Sequence, residues 1–202
     1  MLEAISLQCV RGDRELFNSL SFALGLGEML LVSGPNGAGK TSLLRLLCGL
    51  SQPTSGEVRW QGENVKAQRG EYCRNMVYLG HHNGVKEELS PLENLSVAAT
   101  VAGVVASEDK IGAVLDRVGL YGYEELPAKL LSQGQRRRVA LARLLLAEAR
   151  LWILDEPLAA LDVQAVALVE EILSSHLTGG GLVVLTTHQP LNVSFNFEIR
   201  VG

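Results

Sequence analysis

The sequence predicts an α/β fold in which a buried parallel sheet is covered by helices and interrupted by a helical insertion. An apolar strand, MLLVSG at 29–34, runs into a glycine-rich turn and a leucine-rich helical stretch. Two further apolar strands, LWILDE at 151–156 and LVVLTTH at 182–188, follow a long helical region. Continuous apolar strands alternating with helices are typical of a parallel sheet buried on both faces.

The remaining elements follow from residue periodicity. Alternating or apolar runs predict strands at 2–9, 20–25, 56–60 and 76–80. The helix after the first buried strand has its predicted apolar face at Leu43, Leu44, Leu47 and Leu50. Helical segments are predicted at 92–105, 110–120 and 132–148. We therefore predict one domain, 1–202, with a core formed by 1–83 and 150–202 and a helical subdomain at 84–149.

Composition limits the classes of partner. The chain has 202 residues, 47% of them hydrophobic, so it can bury a core. The net charge of −4 argues against an extended basic surface for nucleic acid. The compact basic cluster Arg136, Arg137 and Arg138 is expected to be a solvated or ion-paired helix face.

Neither cysteines nor apolar runs indicate an extracellular or membrane-spanning chain. Cys9, Cys48 and Cys73 are odd in number and widely spaced, which favours neither a disulfide framework nor a zinc ribbon. The longest uncharged apolar run, 97–106, is shorter than the roughly 20 residues that cross a bilayer. A reducing compartment is expected, with any membrane contact made through partners.

The segment GPNGAGKT has the spacing of a phosphate-binding loop, with a strand before it and a helix after it. Its glycines let backbone N–H groups converge on one anion, and the helix adds its positive dipole end. Lys40 is expected to neutralise phosphate oxygens, and Thr41 to offer its hydroxyl to Mg²⁺. The candidate nucleotide-binding residues are Gly34, Pro35, Asn36, Gly37, Ala38, Gly39, Lys40, Thr41 and Ser42.

The strand LWILDE places two carboxylates at its C-terminal end, where open α/β sheets bind ligands. Asp155 is expected to hold Mg²⁺, directly or through water. Glu156 is expected to polarise or deprotonate an attacking water.

LSQGQRRRVALAR, residues 131–143, resembles the signature motif of ATP-binding cassette (ABC) ATPases, with Gln133 in place of a glycine. The resemblance implies an ABC-type P-loop NTPase: a RecA-like core with a small antiparallel β subdomain and a helical subdomain. It also implies ATP and Mg²⁺ as ligands. Ser132, Gly134 and Gln135 of one chain would complete the phosphate site of a second copy.

Other segments extend the resemblance. LAALD at 158–162 looks like the D-loop, and TTH at 186–188 looks like the switch segment, with His188 as a catalytic residue beside the γ-phosphate. His81 stands where the family carries the Q-loop glutamine, and a neutral imidazole can offer one lone pair to a metal or water. His82 is expected to face solvent or a partner. A haem ligand or a structural role remains an alternative for this pair, whose side chains would point opposite ways on a strand.

The segments LGHHNGVKEELSPLENL, LWILDEPLAALD and TTHQPLN are together similar to the ATP-binding subunits of haem exporters in bacterial cytochrome c maturation. That resemblance implies a peripheral subunit on the cytoplasmic face of the inner membrane. Its membrane partners would resemble CcmB and CcmC, and hydrolysis would drive release of the haem-loaded chaperone CcmE. The coupling surface would lie around residues 82–100.

Three alternatives remain at this stage. The first is an ABC ATPase for another exported substrate. The second is a soluble ABC protein of DNA repair or ribosomes, although the chain has neither a long coiled-coil insertion nor a second cassette. The third is a simple phosphate-loop kinase, against which the signature motif argues.

Overall fold

The computed structural model describes residues 1–202 and contains two sheets and six α-helices. The strands are β1 (Leu2–Arg11), β2 (Arg14–Leu24), β3 (Met29–Ser33), β4 (Ser55–Trp60), β5 (Glu63–Asn64), β6 (Met76–Leu79), β7 (Leu151–Asp155), β8 (Leu182–Thr186) and β9 (Phe197–Arg200). The helices are α1 (Lys40–Leu47), α2 (Arg69–Arg74), α3 (Pro91–Ala102), α4 (Glu108–Arg117), α5 (Gln133–Leu146) and α6 (Val163–Thr178), with a 3-10 turn at Ala128–Leu130.

The larger sheet is parallel throughout, in the order β6-β7-β8-β3-β9. Its central strands are apolar because both faces are covered. In β7, Leu151 and Ile153 belong to one core cluster, whereas Trp152 and Leu154 belong to another on the opposite face. This burial on both sides explains why β7 shows a continuous apolar run instead of alternation.

The smaller sheet is antiparallel, in the order β2-β1-β4-β5. Leucines of α1 share one cluster with residues of both sheets, so this helix links the antiparallel sheet to the parallel one. The predicted apolar face of α1 is wrong at Leu50, which is 52% exposed. The helix ends at Leu47, and Gly49 turns the chain with a φ of 66°, which releases Leu50 to the surface.

Helices α3, α4 and α5 have a third core of their own, which includes Leu95, Ile111, Leu115 and Val139. Ser90, Ser107 and Ser132 cap their N-termini. The division into a core at 1–83 and 150–202 and a helical subdomain at 84–149 stays a prediction, which this separate cluster supports. None of the helices combines the length and hydropathy needed to span a bilayer.

Two elements near the C-terminus were not predicted. Helix α6 begins after Asp162, whose side chain accepts a hydrogen bond of 2.8 Å from the Ala165 N–H. Strand β9 adds a parallel edge next to β3. Its pattern is weak because most of its side chains are exposed, whereas the N-cap aspartate was a readable signal for α6.

Candidate active site

Most of the predicted site residues meet at the C-terminal ends of β3 and β7, where a pocket of about 490 Å³ opens. Its wall includes residues from the phosphate loop, from the end of β7 and from the segment after β8. They are Leu16, Pro35, Asn36, Gly37, Gly39, Lys40, Thr41, Ser42, His81, Asp155, Glu156, Ala159 and His188. Leu16 was not predicted.

The phosphate loop forms a compact turn from β3 into α1. Gly34 has a φ of 139°, and a Cβ there would collide with the Val201 carbonyl oxygen, so only glycine fits this approach. The Lys40 Nζ donates to the carbonyl oxygens of Gly34 and Pro35, at 2.8 and 3.2 Å. No side chain caps the N-terminus of α1, so its first N–H groups remain available to an anion. Gly34 and buried Ala38 shape the loop without lining the pocket.

Asp155 is fixed by two hydroxyl groups. Its Oδ2 accepts from Thr41 Oγ1 and its Oδ1 from Thr186 Oγ1, each at 2.8 Å. Thr186, at the end of β8, is fully buried and was not predicted as a site residue. A hydroxyl and a carboxylate side by side fit the hard oxygen ligands that Mg²⁺ prefers. No group of three or more His, Cys, Asp or Glu side chains that could hold a metal ion is found.

Glu156 has an unusual backbone. Its φ is 51°, in the left-handed region that non-glycine residues rarely adopt. The Glu156 N–H donates to the hydroxyl and the carbonyl oxygen of Thr186, at 2.9 and 3.2 Å. In the carboxylate, Oε2 accepts from the His188 N–H at 3.2 Å, whereas Oε1 is buried without a hydrogen-bond partner. His188 Nε2 lies 3.5 Å from Oε1, so a movement of this exposed imidazole would open the oxygen to a water molecule.

The His188 imidazole lies between the phosphate loop and Glu156. Its Nε2 is 3.2 Å from Lys40 Nζ, 3.1 Å from Asn36 Oδ1 and 3.5 Å from Glu156 Oε1. The side chain is 54% exposed, so it can reorient towards a ligand. The switch-segment histidine and the carboxylate therefore face the same space.

His81 and His82 follow β6 instead of lying on it, since that strand ends at Leu79. The premise that their side chains point opposite ways is wrong, because the bend after the strand brings the two exposed rings edge to face, with centroids 5.7 Å apart. His81 lines the phosphate pocket. His82 lines only a neighbouring depression that includes Gln133 and Arg137.

The signature residues do not reach the pocket of their own chain. Ser132 and Gln135 form a capping box at the start of α5: Ser132 Oγ accepts from the Gln135 N–H at 3.2 Å, and Gln135 Oε1 accepts from the Ser132 N–H at 2.8 Å. The Ser132 hydroxyl proton remains available for a further acceptor. A Cβ at Gly134 would lie 3.0 Å from the Ala160 carbonyl oxygen, so this position requires glycine or a shift of the 158–162 segment.

The arginine triplet contains one residue unlike its neighbours. Arg136 pairs with Glu87 and Arg138 with Asp162, as expected of an ion-paired helix face. Arg137 is only 3% exposed, so the expected solvated or ion-paired role is wrong for it. Burial lowers the pKa of its guanidinium, and the negative charges of Asp155 and Glu156 act in the opposite direction. The readable signal was the helical spacing of position 137 from the buried residues Ala140, Leu141 and Leu144.

Comparisons with known proteins agree with this fold. The sequence model of the ABC transporter family matches residues 17–159. An ABC transporter ATP-binding protein from Pyrococcus furiosus superposes with a TM-score of 0.85 at 26% identity, covering 98% of this chain and 96% of that one. A dimeric bacterial ABC cassette superposes with a TM-score of 0.81 at 22% identity, covering 94% and 88%. This chain is an ABC-type ATPase, and the predicted fold class is confirmed.

Sequence relatives define the branch of the family. A protein of Nitrosomonas europaea is 53% identical over 96% of this chain and 91% of its own length. Proteins of Dechloromonas aromatica and Methylococcus capsulatus are 53% and 54% identical, covering 100% and 94% of this chain and 100% and 92% of their own lengths. All three are named cytochrome c biogenesis ATP-binding export protein CcmA. The chain belongs to the CcmA family.

Proposed function

We propose that this chain hydrolyses ATP as the cytoplasmic subunit of a bacterial haem-export complex in cytochrome c biogenesis, and that hydrolysis drives release of a haem-loaded chaperone. The observation that carries the ATPase chemistry is the unpartnered Glu156 Oε1 in the same pocket as Lys40. The cytochrome c role rests on identity above 50% along nearly the whole chain with CcmA proteins.

The pocket would bind ATP through positively charged and N–H groups directed at its phosphates. The N–H groups of the phosphate loop and the N-terminus of α1 would hold the β- and γ-phosphates of ATP. Lys40, which now donates to two carbonyl oxygens of the loop, would turn its ammonium group to the phosphate oxygens. Thr41 and Asp155 would hold Mg²⁺, and bound Mg²⁺ supplies charge neutralisation on the phosphate oxygens.

Hydrolysis needs one water placed in line with the γ-phosphate. Glu156 Oε1 would orient that water and take its proton as the water oxygen bonds to phosphorus. The bond from phosphorus to the bridging oxygen breaks, and its electron pair leaves with ADP. His188, whose Nε2 lies 3.2 Å from Lys40 Nζ, would donate a hydrogen bond to the γ-phosphate as charge builds up there.

Two copies of the chain would enclose each ATP. Ser132, Gly134 and Gln135 lie outside the pocket of their own chain and leave the Ser132 hydroxyl proton unused. A facing copy that brings these groups to the γ-phosphate would complete the site, which fits the position of the motif outside the pocket of its own chain. The closed pair binds ATP better than the open pair, and hydrolysis removes that difference in affinity.

Membrane contact would be made through partner subunits resembling CcmB and CcmC. The loop after β6 places His81 at the pocket and leads directly into α3. A groove that includes Ala98 and Ala99 of α3 is lined by seven apolar residues and Arg143. The expected coupling surface at 82–100 would extend from this groove to the catalytic pocket. A peripheral position on the cytoplasmic face of the inner membrane would follow.

The test is a pull-down from native membranes in mild detergent. Tagged Glu156→Gln protein with ATP is the bait, and Lys40→Ala protein, which should bind ATP poorly, is the matched control. We expect ATP-dependent recovery of cytochrome c maturation membrane proteins, identified by mass spectrometry, with a haem absorption band. Recovery of an unrelated permease would preserve the ABC ATPase and exclude the haem-export role.

A further inference from the structure

The Arg137 guanidinium is built into the end of β7. Its Nε donates to the Pro157 carbonyl oxygen at 3.2 Å, and its Nη2 donates to the carbonyl oxygens of Asp155 and Glu156 at 3.1 and 2.6 Å. All three acceptors belong to the backbone that carries the two catalytic carboxylates. No carboxylate lies within ion-pairing distance of Arg137, so an ion pair does not account for its burial.

The other side of the same guanidinium reaches the loop after β6. Arg137 Nη1 donates to the Gly80 carbonyl oxygen at 3.3 Å and to Asn83 Oδ1 at 3.0 Å. Gly80 and Asn83 flank the histidine pair, and His81 lines the phosphate pocket. One side chain of the signature helix α5 therefore connects the partner-facing loop to the catalytic strand end.

The contact to Glu156 matters because the backbone there is strained. The left-handed φ of 51° persists only if neighbouring groups hold it. The Glu156 N–H is held by Thr186, and its carbonyl oxygen accepts from Arg137 Nη2 at 2.6 Å and from the Ala159 N–H at 3.2 Å. Removing the guanidinium leaves the longer of these two bonds on the carbonyl oxygen, so the strained backbone that directs the Glu156 carboxylate is held less firmly.

We propose that Arg137 is a positioning residue for Glu156, and that it makes the placement of the carboxylate depend on the loop formed by residues 80–83. The proposal rests on the proposed role of Glu156 in hydrolysis. A movement of α5 or of the loop 80–83 changes the hydrogen bonds of the Arg137 guanidinium. The same guanidinium holds the backbone that directs the Glu156 carboxylate. Lysine cannot reproduce this arrangement, because an ammonium lacks the fork that spans acceptors on two segments.

The first experiment compares steady-state ATP hydrolysis of Arg137→Lys and Arg136→Gln proteins. Arg136 is the matched control: it is the preceding residue on α5, and its bond goes to exposed Glu87 at 3.2 Å. We expect Arg137→Lys to lower kcat by ~10- to 100-fold, as small misplacements of catalytic groups do. KM for ATP should change by less than about twofold, since the phosphate-loop contacts are intact. Wild-type kcat in Arg137→Lys protein would overturn the proposal.

The second experiment repeats Arg137→Lys in a Glu156→Gln background and measures single-turnover hydrolysis. If the arginine acts through the carboxylate, the double variant should be slower than Glu156→Gln alone by less than about twofold. Equal slowing in both backgrounds would show that Arg137 acts elsewhere. Normal turnover of Glu156→Gln alone would instead remove the proposed base, so the two failures are distinguishable.

Asn83→Ala tests the loop half of the proposal and guards against misfolding of the arginine variants. It removes one acceptor, 3.0 Å from Nη1, and leaves the guanidinium in place. We expect a melting temperature close to that of the wild type and a loss of kcat smaller than that of Arg137→Lys, again with KM unchanged. An unchanged kcat in this variant would overturn the link between the loop and Glu156.

Discussion

The two halves of the nucleotide site differ in how completely one chain builds them. In the phosphate pocket, Lys40, Asp155, Glu156 and His188 come from three segments, and hydrogen bonds connect them to their neighbours. The side chains of Ser132 and Gln135 hydrogen-bond within the signature segment 132–135, which lies outside that pocket. This difference between the two halves is what the proposed functional unit of two copies predicts.

Changing Glu156 should have the largest effect on the complete half. Glu156→Gln keeps the size and the backbone bonds of the side chain but removes the carboxylate that accepts a proton. We expect kcat to fall by ~10²- to 10⁴-fold, the usual contribution of a general base. ATP affinity, measured by equilibrium binding, should stay near the wild-type value. A turnover within twofold of wild type would remove Glu156 from the mechanism.

A substitution at Gly134 should disrupt the signature segment and leave the phosphate pocket of the same chain intact. Gly134→Val places its side chain against the Ala160 carbonyl oxygen, which lies 3.0 Å from a Cβ at this position. We expect hydrolysis to fall by ~100-fold or more, since a displaced signature cannot reach the facing phosphate, while ATP binding to the single chain persists. Gly112→Ala is the control, because a Cβ there has open space on a helix. Equal ATPase rates for both variants would contradict the assignment.

The sequence predicted those parts of the site that are formed by contiguous residues. The phosphate loop and LWILDE were predicted with their residues because each motif is contiguous and has a strand beside it. Arg137 was not, because only its helical spacing from the apolar residues Ala140, Leu141 and Leu144 distinguishes it from the two arginines beside it. Thr186 and Asn83 act through partners more than 30 and 50 residues away, and no local pattern marks such contacts.

Protonation of His176, which belongs neither to the phosphate pocket nor to the signature segment, should lower the stability of the folded protein. Its ring stacks on Trp152 at a centroid distance of 3.6 Å, and burial lowers its pKa. In the unfolded chain the His176 imidazole has its ordinary pKa of about 6.5. As the pH falls, His176 is therefore protonated in the unfolded chain before it is protonated in the folded protein. The stabilisation is complete above the unfolded-state pKa and is lost as the pH falls towards the folded-state pKa. We expect chemical denaturation at pH 7.5 and 5.5 to show this loss in the wild type and less of it in His176→Phe.

Thiol labelling should have the smallest effect. Cys73 is exposed, whereas Cys9 and Cys48 are buried, and burial also raises the pKa of the Cys48 thiol. We expect one equivalent of a maleimide to react with the native protein, at Cys73, and ATP hydrolysis to remain unchanged because this residue is outside the pocket. Rapid labelling of Cys48 would show that the core around α1 opens more readily than its packing implies.

The most direct test of the two-copy account is the sedimentation mass of Glu156→Gln protein with saturating ATP or ADP. The account predicts twice the chain mass of 21.8 kDa with ATP and the single-chain mass with ADP. It also predicts the single-chain mass with ATP when Gly134→Val is added. A single-chain mass for ATP-saturated Glu156→Gln protein would contradict the account, because the signature would then have no phosphate to meet.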